Sequence, residues 1–266
     1  MARARNWMSD LMLHAPAPLR SLRSLPVIGN IIHRLSHRIL PEDQKVWARV
    51  EEGPAKGLWL ELNPRTGQNY LRGDAENAVQ EILDARLLPG MVFYDLGANI
   101  GLFTLLAARL VGVEGRVCSF EPDPAVAARL RRNVERNQFP NVTVMEAGVW
   151  SSTGNVRFVP ADSASPDRGV GKFVSAESGV SGTQTPCVAL DDFAQGAPPP
   201  NAIKCDVEGA EVQALHGAER LLRAYHPWIV CEIHSAENDR DSREYLRRLN
   251  YRVDSVDANH ILAEPS

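Results

Sequence analysis

Short apolar runs alternate with segments of helical periodicity along most of the chain. Strands are predicted at residues 58–62, 91–96, 116–120, 142–146, 202–207, 228–233, 251–256 and 260–263. Helices are predicted at residues 74–87, 101–111, 124–137, 209–225 and 241–249. Near-continuous apolar strands that alternate with helices are typical of a parallel sheet with helices on both faces. The pattern therefore predicts an α/β fold with a Rossmann-like, doubly wound sheet.

Two regions depart from this alternation. Residues 160–184 are rich in Ser and Gly and have no clear period, which predicts a flexible loop. This loop is either a lid on the substrate side or an insertion without order. Residues 1–55 are interrupted by prolines and contain one helical pattern, near residues 28–39. We therefore divide the chain into an N-terminal extension, residues 1–55, and a main domain, residues 56–266.

Charge separates the same two regions. Apolar residues make up 44% and charged residues 23% of the 266 residues, which excludes a disordered, collagen-like or coiled-coil protein. Residues 1–40 carry a net charge of +5, and the rest of the chain carries −9. The predicted helix of the extension is thus basic and amphipathic. It either packs on the main domain or contacts a membrane surface or an acidic partner.

The location of the protein is predicted from what the sequence lacks. The longest apolar stretch in the extension is far shorter than the roughly 20 residues of a transmembrane helix. Charged residues and prolines also interrupt any secretory signal. The four cysteines have no metal-ligand spacing and lie mostly in apolar runs, which favours reduced, structural thiols. We expect a cytoplasmic protein, with peripheral membrane contact through the basic helix as the alternative.

A candidate binding turn follows the strand at residues 91–96. Asp95 ends this strand, and Gly97, Asn99 and Gly101 lie in the turn before the next helix. Glycines allow a backbone to approach a ligand closely, and the free N–H groups of a helix start favour an anionic or polar group. In open α/β sheets this position, at the carboxyl end of the first strand, is the usual binding crevice.

The spacing of the turn helps to distinguish between nucleotides. The dinucleotide fingerprint requires glycines at positions that hold Asn99 and Leu102 here, so a pyrophosphate is disfavoured. The amino-acid end of S-adenosylmethionine is smaller, and Asp95 offers a carboxylate to its ammonium group. Glu121, at the end of the second strand, can accept hydrogen bonds from both hydroxyls of a ribose. We assign Asp95, Gly97, Asn99, Gly101 and Glu121 to this cofactor.

Five blocks together resemble the FkbM-type methyltransferases. They are 95–101 (DLGANIG), 120–122 (FEP), 190–193 (LDDF), 204–211 (KCDVEGAE) and 232–234 (EIH). The resemblance covers about residues 58–262 and implies a class I methyltransferase fold. In that fold a seven-stranded, mostly parallel sheet ends in an antiparallel strand. The resemblance also implies S-adenosylmethionine as cofactor and O-methylation of sugars, glycolipids or polyketide-type products.

Acidic residues mark the far side of the predicted crevice. Lys204 and Asp206 share one face of their strand, and a buried Lys requires a partner, for which Glu232 is the natural candidate. Asp206, Glu208 and His234 lie at strand ends and are expected to face the methyl acceptor. Transfer to a hydroxyl requires a base, and His234 is the first candidate, before Asp206 and Glu208. These three could hold a divalent metal, but no ligand spacing requires one, and we assign none.

The remaining assignments concern adenine, the acceptor and the alternative functions. Glu146 ends the third strand and is assigned to the adenine, whereas Glu76 is either an entrance residue or an exposed helix start. The acceptor is expected to be a small molecule or glycan. A nucleic acid is disfavoured because the Asp-Pro-Pro-aromatic type of block is absent and the body is acidic. An NAD(P) oxidoreductase and a non-catalytic cofactor-binding protein stay open as alternatives.

Overall fold

The computed structural model describes residues 45–63, 66–159, 172–174 and 182–266. The helix predicted near residues 28–39 and most of the loop predicted at 160–184 lie outside these residues. Within the loop's span, residues 172–174 form a strand. In the described part of the chain, no helix is both long and apolar enough to cross a membrane.

The strands and helices are numbered in chain order over the described residues. The strands are β1 Val46–Arg49, β2 Trp59–Leu62, β3 Val92–Leu96, β4 Arg116–Phe120, β5 Val142–Met145, β6 Gly148–Val149, β7 Gly154–Val159, β8 Lys172–Val174, β9 Thr183–Val188, β10 Ala202–Cys205, β11 Trp228–Glu232, β12 Tyr251–Ser255 and β13 His260–Pro265. The helices are α1 Gln68–Arg72, α2 Asn77–Arg86, α3 Leu102–Val111, α4 Pro124–Asn137, α5 Leu190–Phe193, α6 Glu211–His216, α7 Glu219–Tyr225 and α8 Ala236–Arg248.

Two compact units divide the chain, and the smaller one includes residues 45–75 of the described part. In it β1 pairs antiparallel with β2, and Arg49 lies over the ring of Trp59, with 5.4 Å between the guanidinium carbon and the ring centroid. The boundary predicted between residues 55 and 56 falls between these two strands. That division of the chain stays a prediction.

The larger unit contains the predicted α/β sheet. Its seven strands have the order β12-β13-β11-β10-β3-β4-β5 in the described residues. The pairs among β11, β10, β3, β4 and β5 are parallel, whereas β13 runs antiparallel between β11 and β12. The prediction of a mostly parallel sheet with an antiparallel last strand is confirmed.

Helices cover both faces of this sheet, as alternation along β3 shows. Tyr94 and Leu96 belong to an apolar cluster with Leu215 of α6, Leu222 of α7 and Leu246 of α8. Asp95 points to the opposite face, where it contacts Thr104 of α3. The strand is therefore buried on both sides, which explains its near-continuous apolar sequence. The four cysteines are buried and free, as expected for structural thiols.

Some elements differ from the sequence-based prediction. A second sheet, with order β6-β9-β7-β8, was not predicted. The helix predicted at 209–225 is two helices, α6 and α7, separated at Gly217. A Cβ there would lie 2.0 Å from the carbonyl oxygen of Trp150, so another segment approaches this turn closely. Helix α8 begins at Ala236 rather than 241, because the hydroxyl of Ser235 caps it by accepting from the N–H of Asn238.

Candidate active site

The turn between β3 and α3 is shaped by contacts within the protein. Gly97 has φ of 77°, and a Cβ there would lie 1.7 Å from the carbonyl oxygen of Asp206 at the end of β10. Gly101 has φ of 94°, and a Cβ there would lie 2.2 Å from Leu130 Cδ1 of α4. Both glycines are therefore required by the left-handed backbone and by close neighbours. These protein contacts are a further reason for glycine, and the close approach of a ligand stays a prediction.

Asp95 lies beneath this turn and is fully buried. Its Oδ2 accepts a hydrogen bond from Thr104 Oγ1 at 2.5 Å, and its Oδ1 has no partner among the described residues. Burial raises the pKa of Asp95 to about 6, against the opposing effect of nearby Lys204. Because Asp95 does not border the cleft described below, its predicted contact with the cofactor's ammonium group stays a prediction.

Glu121 is held by two backbone N–H groups on either side of its carboxylate. Oε2 accepts from the N–H of Asn99, and Oε1 accepts from the N–H of Asp123, both at 2.9 Å. Asn99 has φ of 50°, and this left-handed turn points its N–H at Glu121. Burial raises the pKa of Glu121 to about 7. Each oxygen has a second lone pair, so two further hydrogen bonds can be accepted.

A cleft that opens to solvent borders both predicted halves of the site. Two groups of polar side chains meet there. Asn99 and Glu121 line the cofactor side, and Asp206 and Glu208 line the opposite side. Two parts of the sheet edge that are distant in sequence thus share one space.

Glu146 lies outside this group of residues. It follows β5, and its Oε2 accepts from the guanidinium of Arg131 on α4 at 2.8 Å. Both side chains are more than 40% exposed. Its assignment to the adenine stays a prediction.

Lys204 and Asp206 form an ion pair on the strand face that they share. The Nζ of Lys204 donates to Asp206 Oδ2 at 2.9 Å, and Lys204 is only 3% exposed. Burial opposes the positive charge, but Asp206, Glu76 and Asp95 together raise the pKa of Lys204. The expected pairing of Lys204 with Glu232 is therefore wrong. Asp206 lies on the same strand face and provides the partner.

His234 lies within a group of carboxylates that we call the acid–histidine cluster: Asp206, Glu208, Glu211, Glu232 and His234. Its Nε2 lies 3.2 Å from Glu208, 3.7 Å from Asp206 and 3.9 Å from Glu232. Its Nδ1 lies 2.8 Å from Glu211 Oε1. The hydrogen bond to Glu211, supported by the other carboxylates, raises the pKa of His234 to about 9. The structure thus brings the three predicted catalytic candidates together.

Glu211 is the functional candidate that the sequence analysis did not select. It is fully buried and accepts from the backbone N–H of Gly209, from His234 and from the side-chain amide of Asn238. These three bonds fix its carboxylate, which in turn fixes the imidazole ring. Its place in the 204–211 block was a signal, since a Glu on the buried side of a helix start requires partners.

Comparisons with known proteins identify the family. A family model described as the methyltransferase FkbM domain matches residues 95–253. The chain belongs to the FkbM methyltransferase family. It is therefore an S-adenosylmethionine-dependent methyltransferase, which disfavours the oxidoreductase alternative.

Two curated proteins show how this family member compares with its relatives. Hexuronic acid methyltransferase AglP of Haloferax volcanii is 29% identical over 201 residues, which are 75% of each chain. The 31-O-demethyl-FK506 methyltransferase FkbM of Streptomyces tacrolimicus is 28% identical over 71% of this chain and 78% of that protein. A crystal structure of methyltransferase FkbM from Methylobacillus flagellatus is 21% identical with a TM-score of 0.49, and covers 65% of this chain and 43% of that one.

Proposed function

We propose that the protein transfers a methyl group from S-adenosylmethionine to a hydroxyl of a sugar, glycolipid or secondary metabolite. The observation that carries the proposal is the shared cleft. Glu121, with two free acceptor positions, borders the same space as Asp206 and Glu208. A cofactor held at one side would thus have its reacting end near the carboxylates of the other.

The cofactor side of the cleft suits a nucleoside. The two oxygens of Glu121 are aligned by backbone N–H groups, so they can accept from the two ribose hydroxyls without moving. When bound, S-adenosylmethionine supplies an activated methyl group for in-line displacement. The turn against the cofactor would be held by Asp95, Gly97, Asn99 and Gly101. Alignment of the cofactor with the acceptor supplies much of the rate of methyl transfer.

The acceptor side of the cleft suits a hydroxyl that must lose a proton. Asp206 and Glu208 line the cleft, and His234 contacts both of them from the neighbouring strand end. We propose that one of these three groups takes the proton and that Glu211 positions the imidazole. The two relatives are named as methyltransferases of a hexuronic acid and of 31-O-demethyl-FK506, which supports an oxygen-rich acceptor.

A second cleft adds polar groups next to His234. Its lining includes His234, Ser235, Asp239, Arg243 and Asn259. Side chains that both donate and accept hydrogen bonds are suited to a hydroxyl-rich molecule such as a sugar. This surface supports a glycan or small-molecule acceptor over an apolar one.

Calorimetry with S-adenosylmethionine tests the cofactor half of the proposal. Glu121→Ala should weaken binding at least about 100-fold, because it removes two hydrogen bonds to a charged acceptor, each contributing about 1.5–3 kcal/mol. Glu135→Ala, which removes an exposed helix Glu, is the matched control and should bind like the wild type. No binding by the wild-type chain would contradict the proposal.

Turnover tests the acceptor half and the non-catalytic alternative. Release of S-adenosylhomocysteine is measured with uronic acids, other sugars and hydroxylated macrolides, each with the wild type and with Asp206→Asn, Glu208→Gln and His234→Gln. Loss of turnover with retained cofactor binding would identify the catalytic group. Cofactor binding without turnover of any hydroxyl acceptor would favour the non-catalytic interpretation.

The N-terminal extension is proposed to act outside methyl transfer. Because its +5 charge lies apart from the cofactor motifs, removal of residues 1–40 should spare cofactor affinity. The same truncation should weaken acceptor use or binding to anionic vesicles, as expected for a cytoplasmic enzyme with peripheral membrane contact. Loss of cofactor binding on truncation would contradict this division of roles.

A further inference from the structure

A buried histidine near the acid–histidine cluster faces two carboxylates at distances beyond hydrogen-bond range. The side chain of His260 is 7% exposed, and its Nε2 has no hydrogen-bond partner among the described residues. This nitrogen lies 3.6 Å from Glu76 Oε2 and 3.8 Å from Glu232 Oε2. Glu76 Oε2 is likewise buried and has no hydrogen-bond partner in the described part of the chain. Such groups are expensive to bury unless something else satisfies them.

The other nitrogen of His260 is firmly held. Its Nδ1 lies 2.9 Å and 3.0 Å from the two carboxylate oxygens of Asp257. A carboxylate at Nδ1 holds a proton there. Nε2 faces Glu76 and Glu232, and it is the nitrogen that can exchange its proton for a metal ion. A carboxylate behind a histidine whose second nitrogen is free is the arrangement that orients metal-ligating histidines.

The backbone brings the three side chains together from separate elements. Glu232 and His260 are direct register partners on β11 and β13. Glu76 precedes α2 and has φ of 45°, a left-handed conformation that costs a residue other than Gly about 1–3 kcal/mol. Strain of this kind is retained where the rest of the structure fixes the residue.

The spacing of the donor atoms is compatible with a shared ion. One donor atom from each of the three residues can be chosen so that all lie within 4.8 Å of one another. Two donors that are each about 2.1 Å from a metal lie roughly 3–3.5 Å apart, so a small inward movement suffices. The observed separations of 3.6 Å and 3.8 Å exceed hydrogen-bond distance.

We propose that Glu76, Glu232 and His260 bind a divalent transition-metal ion. One imidazole and two carboxylates suit Mn²⁺, Fe²⁺, Co²⁺ or Zn²⁺, whereas Mg²⁺ and Ca²⁺ prefer oxygen ligands alone. The sequence-based assignment of no metal considered Asp206, Glu208 and His234, for which no ligand spacing required an ion, and it did not include His260. The ion binds without cofactor or acceptor, so this proposal does not depend on the proposed function.

A neighbouring triad is the competing site. Asp206, Glu232 and His234 also come within coordination range of one another and share Glu232. There, however, Asp206 already pairs with Lys204, and His234 already contacts Glu208. The site at His260 is preferred because His260 Nε2 has no hydrogen-bond partner among the described residues, whereas His234 Nε2 lies 3.2 Å from Glu208 Oε2.

Binding of Mn²⁺ and Co²⁺ to the full chain tests the proposal. After removal of metals by a chelator, electron paramagnetic resonance of free Mn²⁺ should show one bound ion per chain. Co²⁺ should give a d–d absorption band. His260→Ala and Glu76→Gln should each weaken binding at least tenfold and change the band. The control His216→Gln, which alters an exposed histidine at the end of α6, should leave both unchanged.

Three outcomes would overturn the proposal: no stoichiometric binding of either ion, binding that persists in both His260→Ala and Glu76→Gln, or binding lost in His234→Gln but not in His260→Ala. If His260→Ala does not fold, Glu76→Gln carries the test, since its side chain is 28% exposed and tolerates change better. If the wild-type chain binds Mn²⁺ but does not bind S-adenosylmethionine, only the proposed function is contradicted.

Discussion

The two sides of the shared cleft hold their charged groups in different ways. On the cofactor side, backbone N–H groups hold Glu121 through both oxygens. On the acceptor side, side chains hold one another, as His234 does with Glu208 and Glu211. Burial raises the pKa of Glu121, whereas a hydrogen bond to a neighbouring carboxylate raises that of His234. The first side depends on local chain geometry and the second on tertiary contacts.

Gly97→Ala should have the largest effect, because Gly97 joins the two sides. A Cβ at this position lies 1.7 Å from the Asp206 carbonyl oxygen, so β3 and β10 must separate. We expect a loss of about 4 kcal/mol or more in the free energy of unfolding, measured by urea denaturation. Gly90→Ala is the control, since Gly90 has φ of 86° but no atom within 4 Å of a Cβ. Equal losses in both variants would show that the clash is unimportant.

The same contrast explains what the sequence could predict. The turn at Asp95–Gly101 and the position of Glu121 were identified because strand, turn and acid follow one another within a single β-α-β unit. The parallel sheet was identified because strands buried on both faces have near-continuous apolar sequences. These features depend on residues close together in the chain, or on a periodicity that a single element shows.

The acceptor side was predicted only in part for the opposite reason. Asp206, Glu208 and His234 were placed at strand ends, but the partner of Lys204 depended on side-chain directions within β10. Tertiary folding alone brings Glu211, Glu76 and His260 to their partners. Glu76 and His260, for example, are 184 residues apart in the sequence. The second sheet was missed because β6 and β8 have only two and three residues, and because β7 and β9 are partly polar.

Removal of the Asp206 carboxylate should have the next largest effect on stability. Asp206→Ala leaves the buried Lys204 ammonium without its hydrogen-bonded partner, and loss of one member of a buried pair costs about 3–5 kcal/mol. Asp206→Asn keeps an oxygen that accepts from Lys204, so its cost should be smaller. Urea denaturation of both variants checks this order. If the two variants lose the same free energy of unfolding, the hydrogen bond between Lys204 and residue 206 contributes little to stability.

Glu121→Gln should change how stability depends on pH. The ordinary pKa of Glu is 4.5, and burial raises that of Glu121 to about 7, so the folded state binds the proton more tightly than the unfolded state. The wild type therefore loses stability as pH rises between these two values, by on the order of 3 kcal/mol. A Gln at this position has no such loss.

The stability of Glu121→Gln relative to the wild type should thus be more favourable at pH 8 than at pH 5. Urea denaturation at both values measures it, with Glu135→Gln as the control for an exposed Glu. A relative stability that does not change with pH would show that burial is not the main influence on Glu121. Cofactor affinity should fall in the same variant, since an amide replaces one of the two charged acceptors.

Glu146→Gln should have the smallest effect on stability. Glu146 is an exposed acid and is compared here with the buried Glu121. The ion pair with Arg131 is more than 40% exposed on both sides, and pairs of this kind contribute about 0–1 kcal/mol. We expect the free energy of unfolding to change by less than about 0.5 kcal/mol. The change in cofactor affinity tests the assignment to the adenine. Calorimetry with S-adenosylmethionine, run in parallel with Glu121→Ala, measures the cofactor affinity. A tenfold loss of affinity would support direct contact between Glu146 and the adenine, whereas an unchanged affinity would leave Glu146 with its ion pair to Arg131.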